Sequence, residues 1–426
     1  MKKRISPGPA AALAAIGIAL TAMVGGALAH RSAAVPLPAA TCSPIQNPTG
    51  ELLITSDLPL QGADRARTTQ MTRAIAFELG RHGWKAGAYT LAYQSCDDST
   101  AHATTWDPGT CSANAARYAA SSRVVAVIGT LNSGCAELEL PTLNRAPNGP
   151  LAMVSPADTY AGLTQSAPGT AADEPGLYYP TGTRNFTRVI AADDFQGAAD
   201  AALANDLHVR RMFVLHDQQA YGEGIAADTA GAAKKLGITV VANVAWVARA
   251  ASYATLGLQI ARSGAQAVFV GGLLSENGGR LIEDIRAAAP NVTIIAPDGF
   301  TPVSADVQQS LGMANGIYVS VPGLPTGRMP AAGQAFVAAF SNSENRAAID
   351  AYSVYAAQAV DVILAAVARS NGTRAGVASR LFNVHIPSGL LGPIGFDANG
   401  DLSANPVTIY KVVRGKPAIY QVIVPK

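Results

Sequence analysis

Short, continuously apolar runs alternate with longer amphipathic stretches along most of this chain. Glu51–Asp57 (ELLITSD), Ala88–Gln94 (AYTLAYQ), Arg123–Gly129 (RVVAVIG) and Leu151–Ser155 (LAMVS) are four such runs. Runs that are apolar at successive positions, rather than at every second one, suit parallel strands covered on both faces. The stretches between them, Arg67–Leu79 and Ala113–Ala120 for example, carry a helical period. A Gly/Pro-rich segment from Ser166 to Arg184 interrupts the alternation, which then restarts. Met212–His216, Ile238–Val244, Ala267–Gly271, Val292–Ala296 and Gly316–Val321 read as strands, with helices at Gly224–Lys235 and Ser275–Ala288. Ala347–Ala368 reads as a long helix that is apolar on most faces. Val407–Val413 and Ala418–Val424, around Arg414-Gly415-Lys416-Pro417, read as a hairpin with a four-residue turn. The pattern predicts an α/β fold of two doubly wound, Rossmann-like lobes.

Before this alternation comes a different pattern. Lys2, Lys3 and Arg4 precede an apolar run from Ala10 to Ala29, which ends in Ala27-Leu28-Ala29. A basic tip, an apolar run and an A-x-A site make residues 1–29 a signal peptide, with an uncleaved membrane anchor as the alternative. Both place the body outside the cytoplasm, at the periplasmic or extracellular face of the membrane. Residues 30–48, rich in Ala, Pro and Ser, read as a linker.

With 426 residues, the chain is too long for one ordinary domain and suits two. Only 14% of residues are charged and the net charge is +2; without the basic tip the body is near neutral. This argues against an electrostatically driven nucleic-acid binder. Four cysteines, Cys42, Cys96, Cys111 and Cys135, show no C-x-x-C pair, and no histidine stands at metal-ligand spacing. In an exported protein they predict two disulfides with three possible pairings. Cys96 with Cys111, bracketing the loop DDSTAHATTWDPGT, is the favoured one. A Pro-containing spacer and Thr41 before Cys42 argue against lipid attachment there.

In open α/β sheets ligands bind beyond the carboxyl ends of the strands. RVVAVIG leads into Thr130-Leu131-Asn132-Ser133-Gly134 and a helix, where Ser133 either caps the helix or helps to hold an anion. LAMVS leads into Pro156-Ala157-Asp158-Thr159, with the same two readings for Thr159. MFVLH leads to Tyr221 and a G-x-G-x-x-A string at Gly222, Gly224 and Ala227. Five residues separate this strand from the first glycine, and no acid ends the next strand, so a dinucleotide site is not expected. VTIIA leads into Pro297-Asp298-Gly299, where Asp298 is either a turn residue or a partner for an ammonium group. Ser133 and Thr159 facing a carboxylate, Asp298 facing an amine and Tyr221 covering the ligand would together receive an α-amino acid.

The order and spacing of several stretches go further. VIGTLNSGCA, MVSPADT, VLHDQQAYGEGIA, APDGF and GPIGFDANGD resemble the branched-chain amino-acid-binding proteins of bacterial ABC importers, which have the type I periplasmic-binding fold. The resemblance covers nearly everything from residue 51 onward. It implies that Ser133 and Thr159 bind a ligand carboxylate, that the carbonyl of Ala157 and the acid of Asp298 hold its amine, and that Tyr221 lines the cleft. It implies crossovers near 184–190, 320–324 and 390–396. Lobe 1 is then expected to comprise 49–186 and 322–392, and lobe 2 to comprise 187–321 and 393–426. It also implies a monomer that closes by hinge motion on a small-molecule ligand and is recognised by an ABC permease, with no cofactor or metal. Two departures stand out. Leu273-Leu274 replace an aromatic wall, and the segment after the first strand lacks a tyrosine but offers Arg65 or Arg67 as a cation. Amides, urea and aromatic acids are other ligands of this family. A sensing module coupled to a membrane partner is the alternative. A secreted serine hydrolase is the remote one, since His82, His102, His208, His216 and His385 are scattered and no G-x-S-x-G elbow exists.

Overall fold

The computed structural model describes residues 41–103, 105–403 and 405–425. The apolar run Ala10–Ala29 and its Ala27-Leu28-Ala29 site lie outside the described residues. Strands β1 (Leu52–Leu58), β2 (Lys85–Ala86), β3 (Tyr89–Asp97), β4 (Val124–Gly129), β5 (Ala152–Ser155) and β6 (Phe186–Arg188) form one sheet in the order β2-β3-β1-β4-β5-β6. It is parallel except for the β2–β3 pair.

A second sheet contains β7 (Arg211–His216), β8 (Thr239–Ala245), β9 (Ala267–Gly271), β10 (Thr293–Ala296) and β11 (Tyr318–Pro322), which are parallel. β12 (His385–Gly389) and β13 (Gly392–Gly395) make a separate small sheet. β14 (Val407–Val413) and β15 (Lys416–Ile423) then join the second sheet antiparallel, giving β15-β14-β11-β10-β9-β7-β8.

The continuous apolar runs have a direct physical reason. Alternate residues of one strand feed cores on opposite faces of its sheet. Leu53 of β1 enters one core and Ile54 the other. In β9, Val268 and Val270 face one core while Ala267 and Phe269 face the other. The helix Ala351–Ala368 is long and apolar enough by composition to cross a membrane, but most of it is buried in the first lobe's core. It starts at Ala351 rather than Ala347, because Asp350 caps it by accepting from the Tyr352 N–H at 2.9 Å.

Several expectations need correcting. The disulfides are Cys42–Cys96 and Cys111–Cys135, not Cys96–Cys111. Cys96 ends in β3, while Cys111 lies in the helix Pro108–Ala120 beside the helix Ser133–Asn144, where Cys135 waits. The first pair also changes the reading of the linker. Residues 41–48 lie against β3, with Ser43 N donating to Ser95 O at 2.7 Å and Gln46 N to Tyr93 O at 2.8 Å.

The hairpin turn has two residues, Arg414 and Gly415, both at positive φ (52° and 72°), which matches the twist of the flanking strands. The first sheet keeps β6 through Arg188 and the second keeps β11 through Pro322, slightly beyond the divisions expected at 186 and 321. Ile394 joins the first lobe's core with Phe396 and Leu402 packed against it, so the chain enters the second sheet only at β14.

Candidate functional site

The carboxyl ends of the two sheets face one cavity of about 110 Å³. A water needs about 10–15 Å³ on this measure, so there is room for a small organic molecule. The loops after β1, β4 and β5 supply one wall, and the loops after β7, β9 and β10 supply the other. All five predicted residues, Ser133, Ala157, Thr159, Tyr221 and Asp298, line this space.

Ser133 is the first residue of its helix rather than its cap; Asn132 holds the cap position, without a side-chain capping bond. Ser133 Oγ accepts from Tyr160 N at 3.2 Å, which leaves its hydroxyl hydrogen free to turn toward the cavity. The Ser133 and Gly134 N–H groups belong to the helix's first turn, where no intrahelical acceptor exists and the helix dipole favours an anion. The Cys111–Cys135 disulfide fixes this helix end from behind.

Thr159 and Ala157 are held by a buried lattice around them. Ser155 Oγ accepts from the N–H groups of Ala157 (3.0 Å) and Asp158 (2.7 Å). Asp158 accepts from Thr130 N at 2.7 Å and Thr130 Oγ1 at 2.9 Å. Burial pushes the Asp158 carboxyl up to about 6, and these bonds restrain the rise. Arg188, fully buried, donates to the carbonyls of Asp158 (3.1 Å) and Tyr160 (2.9 Å), to Thr164 Oγ1, and through Nε to Asp401 Oδ1 at 2.5 Å.

On the opposite wall Tyr221 donates to Asp298 Oδ1 at 2.7 Å and accepts from Gly299 N at 3.0 Å. The neighbouring glycines explain the G-x-G-x-x-A string without a nucleotide. A Cβ on Gly222 would lie 2.0 Å from Asp217 Oδ1, and one on Gly224 would lie 2.6 Å from the Tyr160 ring. These glycines let the helix Ala220–Lys235 approach its neighbours closely.

Sequence reasoning missed Tyr352. It lies in the first turn of the helix Ala351–Ala368, and its hydroxyl donates to Asp298 Oδ2 at 2.5 Å. Its signal was the aspartate two positions before it, which marks a helix start. Of Arg65 and Arg67, the structure brings Arg67 to the cavity and leaves Arg65 exposed. Arg67 donates to Asp350 Oδ2 (3.4 Å) and Thr301 Oγ1 (2.8 Å) and sits over the Tyr352 ring at 4.9 Å. Burial opposes its charge, but the carboxylates of Asp350 and Asp64 outweigh that, so it stays a cation. Leu273 and Leu274 form the aliphatic wall expected of them.

Two clusters of acids near the second disulfide are poor candidates for a metal. Asp98 and the pair Asp57–Glu139 gather near Cys135, whose sulfur is spent in a disulfide. Burial raises Asp57 to about 6, and raises Asp98 and Glu139 well above the usual carboxylate range. Burial of this kind favours the protonated carboxyl over the carboxylate that a cation needs.

Two α/β lobes whose strand ends converge on a cavity lined by both polar and apolar side chains define a ligand-binding protein of the two-lobed class. The model of the periplasmic binding protein family matches residues 81–417, and the chain belongs to that family. Its members are solute-binding proteins and not enzymes.

Among curated relatives, an amino acid binding protein from Pseudomonas aeruginosa is 24% identical over 54% of this chain, which spans 61% of that relative's length. The Leu/Ile/Val-binding protein homolog 2 from Brucella abortus is 25% identical, over 87% of this chain and 92% of the relative. The crystal structure of the leucine binding protein LivK from Thermotoga maritima superposes with a TM-score of 0.75 at 21% identity. That match covers 88% of this chain and 99% of that one, and shows the shared fold.

Proposed function

We propose that the chain captures a small α-amino acid in this cavity, outside the cytoplasm, and presents it to an ABC permease by hinge closure of the lobes. The convergence of Ser133, Ala157, Thr159, Tyr221 and Asp298 on one cavity carries this reading. The ligand carboxylate meets Ser133, Thr159 and the start of the helix Ser133–Asn144. Its ammonium meets Asp298 and the Ala157 carbonyl, and Tyr221 covers it. A zwitterion pairs both ends with charge-assisted bonds in a space from which closure expels water. The names of the Pseudomonas and Brucella relatives agree with the amino-acid class. Closure selects the bound form because ligand contacts from both walls exist only when the lobes meet.

A thermal-shift screen of the purified protein against α-amino acids, amides and aromatic acids tests this. Binding to the native state raises the melting temperature as RT ln(1 + [L]/Kd). A shift with an α-amino acid that disappears in Asp298→Ala supports the reading. A shift confined to ligands without an amine, unaffected by Asp298→Ala, sinks it.

A further inference from the structure

The cavity wall continues past the five residues to Ala63, Asp64 and Arg67 on the segment after β1. Here the surface changes character. The Arg67 side chain is only 10% exposed and is fixed by Asp350, Thr301 and the face of Tyr352. Those contacts use its Nε and Nη2. Nη1 has no hydrogen-bond partner among the described residues, because Asp64 Oδ1 lies 3.9 Å away, beyond bonding reach.

Asp64 is in the complementary position. Its carboxylate accepts no hydrogen bond from the described residues and is 19% exposed. A donor and an acceptor, paired as charges across 3.9 Å but with no hydrogen bond between them, therefore stand side by side on the wall.

The space does not end there. A second cavity of about 250 Å³, lined also by Gln70, Ala348 and Asp350, shares Ala63, Asp64, Arg67 and Pro302 with the first. Arg67 and Asp64 stand on the partition between the two. An aliphatic side chain pressed against this partition would cover the Nη1 hydrogens and the Asp64 oxygens and pair with neither, which a polar site penalises.

A carboxamide offers one acceptor and one donor on the same planar group. Its oxygen suits Arg67 Nη1 and its NH₂ suits Asp64. A second carboxylate would serve Arg67 but would be repelled by Asp64 and by Asp350 behind it.

Resting on the α-amino-acid reading above, we propose that the ligand's side chain ends in a carboxamide, held between Arg67 Nη1 and the Asp64 carboxylate.

Isothermal titration of the full chain with L-glutamine, L-asparagine, L-glutamate and L-leucine tests it, with Arg67→Met and Asp64→Ala as variants. One of the two amides is expected to bind at least about tenfold tighter than glutamate or leucine, the range that one hydrogen bond to a charged group provides. Each variant should erase that preference while retaining residual binding. Ligand-free melting curves show whether Arg67→Met still folds; Asp64→Ala breaks no side-chain hydrogen bond among the described residues, only the 3.9 Å ion pair, and carries the test alone if it does not. Leucine or glutamate binding as tightly as the amides, or an amide preference untouched by Asp64→Ala, overturns the carboxamide and leaves the amino-acid reading standing. Binding of none of the four overturns the carboxamide, and a thermal shift confined to ligands without an amine then overturns the amino-acid reading as well.

Discussion

Tyr352 Oη and Asp298 Oδ2 meet at 2.5 Å across the cavity, joining a helix packed in the first lobe to the loop after β10 in the second. Arg67 and Thr301 make a parallel link at 2.8 Å. The two walls are thus tied by the protein's own side chains at the place where the ligand's amine is proposed to sit. Hydrogen bonds to a charged partner contribute roughly 1.5–3 kcal/mol. Tyr352→Phe is therefore expected to lower the melting temperature by a few degrees. It should also weaken ligand binding by about tenfold, through loss of the closed form. Calorimetry and small-angle scattering check both, and a radius of gyration unchanged from wild type would refute the link's role in closure.

The two disulfides make a mapping prediction. Non-reducing peptide maps should contain Cys42 linked to Cys96 and Cys111 linked to Cys135. Loop closure over sequence separations of 54 and 24 residues stabilises by about 4 and 3.5 kcal/mol respectively. Reduction should shift the urea midpoint downward, with the C42S/C96S pair costing at least as much as C111S/C135S.

Arg188 and Asp401 form a buried ion pair behind Thr159, with side chains 0% and 6% exposed. Removing one partner strands the other charge, which costs about 3–5 kcal/mol. Asp401→Asn should be strongly destabilising. It should also loosen the Asp158–Thr164 segment, visible as faster amide exchange there than at β9. Wild-type exchange in that segment would count against this account.

Asp306 makes the pH prediction. It is buried with neither carboxylate oxygen hydrogen-bonded among the described residues, and burial pushes it up to about 9 from an ordinary 3.8. The folded state therefore binds this proton more tightly than the unfolded chain. The stability it contributes is complete below about 4 and is lost as pH rises toward 9. Denaturant midpoints at pH 6, 8 and 10 should fall for the wild type and fall less steeply for Asp306→Asn. Equal slopes would show that Asp306 does not carry the effect.

Much of this architecture was legible because buried parallel strands leave a strong local trace. β9 was placed with both ends right, since every residue from Ala267 to Gly271 is buried on one face or the other. Strand ends then localised Ser133, Thr159, Tyr221 and Asp298 at the cavity. The misses share a different physics. The pairing of Cys42 with Cys96 depends on the 41–48 segment folding back along β3, a long-range event with no local signature. Ser133 lost the cap position to Asn132, one residue away, because both types cap helices well. Tyr352 reads as one more aromatic at the edge of an apolar helix; only the tertiary fold carries it to Asp298.

The helix Ala351–Ala368 fills the first lobe's core beside Ile54, Met71 and Val125, residues more than two hundred positions earlier in the chain. Strands β7 to β11, by contrast, come from one uninterrupted stretch. As the polypeptide emerges from its amino end, the five parallel strands of the second lobe are all available while the first lobe still lacks its central helix. Until residue 368 has appeared, the earlier half holds apolar faces with nothing to cover them, and Asp298 has no Tyr352 to meet. The order of synthesis thus leaves the receptor for last, and a chain interrupted before that point has no ligand cavity to close.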